Sequence, residues 1–134
     1  MQSGILTDTF SAKRLAAMAD NDWRRRSAEF LEPKLSRNLA LRDALRPVAY
    51  RNGTSVSAVA VAWTLAWPGV TGTIVGARDA AQVDGWVDAA TLQFSAEDLG
   101  EIVRALGRIG AGSGLVEPAA VSTVCAWHGA ETQA

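Results

Sequence analysis

Residues 56–67, VSAVAVAWTLAW, are apolar nearly all round. A helix with one apolar stripe can lie on a surface, but a helix with no polar side has to be enclosed. The longest apolar stretch, Ala58 to Trp67, is interrupted only by Thr64 and stopped by Pro68. It falls well short of the roughly 20 residues that span a bilayer, so it reads as a helix buried between a sheet and other helices, with no membrane partner. The segment that follows, VTGTIVGA, has no polar alternation apart from its threonines. It reads as a strand covered on both faces, as parallel strands are.

The remaining pattern supplies helices around these two elements. Gly4 with Ile5, Leu6 and Thr7 suits a short first strand. Ser11 is placed to cap a helix that carries Leu15 and Met18 on one face. A long helix is expected from about Leu35, with Leu39, Leu41, Leu45, Val48 and Ala49 recurring near helical spacing and Pro47 kinking it or marking a boundary. Asn52-Gly53 stops it, and Thr54 or Ser55 caps the apolar helix. AAQVDGWVDAATLQ reads as a third helix weakened by Gly85. Ser95 then caps AEDLGEIVRAL, with Asp98 at the capping-box position and Leu99, Ile102, Val103 and Leu106 facing inward. Residues 1–109 form one domain in this reading, and residues 110–134, rich in Gly, Ala and Ser, form a flexible, disordered tail. Two strands carrying four helices leave sheet edges open, so the chain reads as part of something larger.

With 13 basic and 14 acidic residues the formal net charge is −1, which argues against a nucleic-acid partner. Arg24, Arg25 and Arg26, with acids nearby, read as a solvated loop. The single cysteine, Cys125, excludes an internal disulfide and fits a reducing compartment. No basic leader followed by an apolar run is visible at Met1, and a cytoplasmic location is expected. Cys125 and His128 lie three apart in the tail and make too small a set for a metal site. Trp23, Trp63 and Trp67 read as packing residues, and Glu97 and Asp98 as helix-start charges.

The stretches MQSGILTDTF, NDWRRRSAEF, the run from Asn38 to Trp86 ending in TGTIVGARDAAQVDGW, and FSAEDLGEI together resemble the C-terminal part of the aldo-keto reductases. The resemblance covers about residues 1–107. It implies an α/β fold, a partial (β/α)8 TIM barrel in which SGILT is strand seven and TGTIVGA is strand eight, with strands one to six outside the matched stretch. It also implies an NADP(H)-dependent oxidoreductase acting on a small-molecule carbonyl. The Asp, Tyr, Lys and His that act in the family have no counterparts here: Tyr50 and His128 do not match them, and no catalytic residue is carried over.

The cofactor residues are carried over. Met1, Gln2, Ser3 and Gly4 match the segment that wraps the pyrophosphate and nicotinamide side. Gly76, Ala77 and Arg78 match the turn that holds the adenosine 2′-phosphate, and Gln82 contacts the same end. The residue types suit the task. Gly76 lets backbone approach a phosphate, the following helix start offers N–H groups, and Arg78 can make a bidentate charged contact. Gly85 and Trp86 replace the family's usual Glu and Asn, so Trp86 can stack on the adenine but cannot pair with its edge. The loop from Asp8 to Leu35 is expected to line one side of the substrate pocket, whose specificity the sequence does not give.

The function expected is therefore the C-terminal portion of a carbonyl/alcohol oxidoreductase, inactive alone and binding NADP(H) weakly or not at all. Three alternatives stand beside it. The chain could be an assembly module complementing a separate N-terminal part, a regulatory relative such as the family's channel subunits, or a truncated reading frame with no function. Self-association through uncovered apolar surface is expected.

Overall fold

Short polar residues set four of the five α-helix starts. In the computed structural model, which describes residues 2–112 and 114–116, α1 spans Ala12–Ala16, α2 Lys34–Arg51, α3 Val56–Leu65, α4 Ala80–Asp84 and α5 Ala96–Ile109. Tighter 3-10 turns occupy Gln2–Gly4, Trp23–Arg26, Ala28–Phe30 and Val87–Ala90. The side chains of Ser11, Ser55, Asp79 and Ser95 each accept a hydrogen bond from an N–H in the first turn of α1, α3, α4 and α5, satisfying donors that have no partner within the helix. At the far end of α5, Gly110 adopts φ 64 and donates its N–H to the Leu106 carbonyl, a left-handed stop that suits glycine.

α2 packs against both α3 and α5. Leu45, Val48 and Ala49 of α2 meet Val56 and Val59 of α3 and Ile102 of α5. The opposite side of α3, with Ala58, Val61 and Ala62, closes on Ala89, and half-buried Val75 and Trp86 pack there too. The all-round apolar character of α3 is thus used twice, once by each cluster. Its exposed remainder lies toward the C-terminal end at Thr64 and Ala66. Trp63 and Trp67 meet there edge to face at 5.9 Å.

A third cluster of Ile5, Phe10, Phe30 and Leu35 seats the N-terminal segment on the start of α2. Polar contacts fix it further. Buried Arg42 donates to the Phe10 carbonyl and to the Asp43 carboxylate. Asp8 accepts from the Val56 N–H at 3.2 Å and pairs with Arg46 at 2.9 Å. One carboxylate therefore caps α3 and ties it to α2.

Three expectations are corrected. The described residues contain no β-strand. Residues 3–7, expected as strand seven, form a 3-10 turn and the turns that follow it, and residues 71–77, expected as strand eight, are irregular backbone that makes no hydrogen bond among the described residues. A parallel strand needs a ladder partner on its edge; among the described residues the two segments make no hydrogen bond to each other, and no sheet is present. The third helix is divided into α4 and the turn Val87–Ala90, broken at Gly85-Trp86. α2, by contrast, is helical through Pro47, which is exposed and removes only the bond its own N–H would make. The expected tail lies almost wholly outside the described residues, and so do Cys125 and His128.

Asp98 joins α5 to α2. It is 2% exposed, and its carboxylate accepts from the Ser95 N–H and hydroxyl, from Arg51 Nε at 2.8 Å and from the Asn52 amide. Burial raises its pKa, but the hydrogen bonds from Arg51, Ser95 and Asn52 outweigh burial and hold it at about 2. Because the folded value lies below the unfolded one, the resulting stability is complete above the unfolded pKa and is lost as pH falls toward 2. Asp98→Asn is expected to lower stability at pH 7 by about 1–2 kcal/mol, a figure discounted for the solvent exposure of Arg51. Urea unfolding at pH 7, 4, 3 and 2 checks this: the gap between wild type and variant should narrow below pH 4.

Candidate functional site

The N-terminal turn, α1 and the loop after it, the start of α3, and residues 74–86 together enclose a cleft of about 760 Å³, within the usual range for small-molecule sites. A smaller cavity of about 410 Å³ lies between the start of α2 and the end of α5, lined in part by Ile5, Lys34, Arg37 and Leu106.

Seven of the residues selected from the sequence line the larger cleft: Ser3, Gly4, Gly76, Ala77, Arg78, Gln82 and Trp86. Met1 lies outside the described residues, and Gln2 sits in the turn Gln2–Gly4 beside the cleft-lining pair. Ser3 and Gly4 have φ 55 and 95, and the Thr7 hydroxyl donates to the Gly4 carbonyl at 2.7 Å, fixing the turn. A Cβ added at Gly4 or Gly76 would meet no atom within 4 Å, so at both glycines the backbone faces open space.

The turn after residues 71–77 is held by its own side chains. The Arg78 N–H donates to Gln82 Oε1 at 3.1 Å, the Gln82 amide donates to Asp79 Oδ2 at 2.9 Å, and the Gln82 N–H donates to Asp79 Oδ1 at 3.0 Å. The helix start expected to offer free N–H groups is thus partly taken: Asp79 occupies the Gln82 N–H, and Gln82 occupies that of Arg78. The Arg78 guanidinium is exposed and has no ion pair among the described residues. Trp86 is half-buried beside Ala58 and Ala62, and its indole N–H is buried without a partner.

The 8–35 loop, expected from the sequence at a substrate pocket, contributes Asp8, Thr9, Arg14, Trp23 and Arg24 to the same cleft as the candidate cofactor residues. Sequence reading did not single out Arg14, and it assigned Trp23 to packing and Arg24 to solvent. Trp23 is 55% exposed and meets Phe30 edge to face at 6.0 Å. Arg24 is held in a two-pronged pair by Asp22, at 2.9 and 2.5 Å. That guanidinium, then the Arg24 N–H, keeps the Asp22 carboxyl down at about 2, with a smaller pull from Arg78. Asp8, the acid lining the cleft, is engaged by Arg46 and the Val56 N–H. Among the described residues, the cleft cations that form no ion pair are therefore Arg14 and Arg78, the latter near enough to Asp22 to act on its carboxyl. Open glycine backbone, hydroxyls and two such guanidinium groups suit a ligand bearing phosphates. Tyr50 is 90% exposed on α2 and does not line the cleft. Among the described residues no cluster of three or more His, Cys, Asp or Glu side chains could hold a metal ion, and no helix is long and apolar enough to cross a membrane.

Residues 1–106 match the model of the Aldo/keto reductase family. None of the curated proteins compared with the chain matches it.

Asp79 both caps α4 and orients Gln82. Asp79→Ala is expected to cost about 1 kcal/mol of local stability and to release the Gln82 side chain. Amide hydrogen exchange across residues 78–85 should quicken, while exchange in α2 and α5 stays as in the wild type.

Proposed function

The chain belongs to the aldo/keto reductase family, and we propose that it provides the NADP(H)-binding side of a carbonyl/alcohol oxidoreductase. The observation that carries this reading is the gathering of Ser3, Gly4, Gly76, Ala77, Arg78, Gln82 and Trp86, drawn from two distant segments, into one cleft. In it, the Arg78 guanidinium holds the 2′-phosphate, which distinguishes the phosphorylated cofactor from NADH. Gly76 admits the phosphate to the backbone, and Ser3 and Gly4 receive the pyrophosphate and nicotinamide side. Trp86 presents its ring to the adenine. When bound, the cofactor supplies the hydride that reduces a carbonyl carbon. The acid that protonates the resulting alkoxide comes from outside these residues, so the chain alone binds cofactor without turning over substrate.

Titration of the tryptophan fluorescence with NADPH, with NADH as control, tests this. Weak but saturable binding that favours NADPH is expected, and Arg78→Ala should weaken NADPH about tenfold or more while leaving NADH nearly unchanged. Equal loss for both cofactors, or no saturable binding, overturns the assignment of Arg78 to the 2′-phosphate.

A second reading, in which the chain is completed by a separate part or by copies of itself, is favoured by residues 71–77. They make no hydrogen bond among the described residues, and Ile74 is fully exposed. Unpaired backbone beside exposed β-branched side chains is a surface for association. Ile74→Lys should shift the chain toward the monomer in sedimentation velocity and leave its helical circular dichroism unchanged.

A further inference from the structure

We infer that Arg14 is a second anion contact of the same cleft, reading the diphosphate that phosphorylated and unphosphorylated dinucleotides share. The inference rests on the cofactor reading above and adds a residue that neither the sequence motifs nor the family match assigns. The cleft is lined by Arg14, Arg24 and Arg78. Arg24 is neutralised by the two-pronged pair with Asp22. Asp8, which could have neutralised another, is bound by Arg46 and the start of α3. The cleft thus keeps two positive charges in a chain whose formal net charge is −1. They stand on different segments, Arg14 on α1 and Arg78 on the turn before α4. A ligand with one phosphate uses one of them. A dinucleotide that also carries a 2′-phosphate has two separated anionic groups and uses both.

Arg14 is also oriented. Its backbone N–H donates to the Ser11 hydroxyl at 3.1 Å, and its Nη1 donates to the Thr9 hydroxyl at 3.2 Å. Thr9 belongs to the cleft wall, so this bond draws the guanidinium toward the cleft and leaves most of its donors for a phosphate. A fixed guanidinium fork suits two oxygens of a diphosphate better than a lysine ammonium does.

The test is calorimetric titration of the full chain and of Arg14→Ala, Arg14→Lys and Arg78→Ala with NADPH and with NADH. Arg14→Ala should weaken both cofactors by a similar factor of about ten, and Arg14→Lys should recover part of that loss. Arg78→Ala should weaken NADPH alone. If Arg14→Ala leaves both affinities unchanged while Arg78→Ala still weakens NADPH, the cofactor reading stands and the role of Arg14 is overturned. If the wild type binds neither cofactor, both fall together. The Arg14 side chain is exposed, and equal melting temperatures of wild type and variants establish that any loss is not one of folding.

Discussion

Enclosure of α3 is the constraint on which the rest of the structure depends. A helix with apolar groups on every side cannot present one face to solvent without exposing large hydrophobic area. The chain meets this with two separate packings on the same helix. α2 and α5 close on Val56 and Val59, and the turn Val87–Ala90 with Trp86 and Val75 closes on Ala58, Val61 and Ala62. The N-terminal end is the weak point, because its first N–H groups lie near the core with no helical partners. Ser55 answers one and Asp8 another. Since Asp8 also pairs with Arg46, this one side chain adds a polar tie between the start of α3 and α2 to the apolar packing of Val56 and Val59 on Leu45 and Val48.

That tie also stands at the candidate site. Ser55 and Ser57 at the start of α3, and Asp8 bonded to it, are also part of the cleft wall, so the cleft is bounded on one side by the capped start of α3. The facing wall, residues 74–82, rests on side-chain hydrogen bonds among Arg78, Asp79 and Gln82 and has no ladder behind it. Beyond these local bonds, Val75 and Trp86 anchor that side to α3. Segments with few buried contacts and no regular backbone bonding open at the lowest free-energy cost.

What could be read from the sequence was local. Ser11, Ser55 and the Ser95/Asp98 box sit where capping chemistry puts them, and the three long helices follow from apolar spacing and from Asn52-Gly53. Strand formation was not legible, because a β-branched run such as residues 71–75 specifies an extended preference but not a partner. The split of the third helix at Gly85-Trp86 lies in the same class, a tertiary choice that packs Trp86 onto α3. In the site, Gly76 and Arg78 were suggested by a short motif and carried over by the family resemblance. Arg14 sits on the exposed side of α1 and Trp23 and Arg24 in a segment without period, and the segment that carries them is held to α2 by contacts such as Arg42 with the Phe10 carbonyl, 32 positions apart. Asp8 reaches Val56 across 48 positions, and no local pattern encodes that.

The unbonded run at residues 71–77 divides the chain at a place where the packing does not divide. Residues before it supply α2 and α3; residues after it supply α5. Ile102 sits among Leu45 and Val48, and Arg51 pairs with Asp98 and Glu101 across the gap. A protease that cuts an accessible, unpaired segment would therefore sever the polypeptide without separating its halves. The nicked molecule would remain a two-chain complex, and the same point in the backbone is where new termini or an inserted domain would disturb the helical core least.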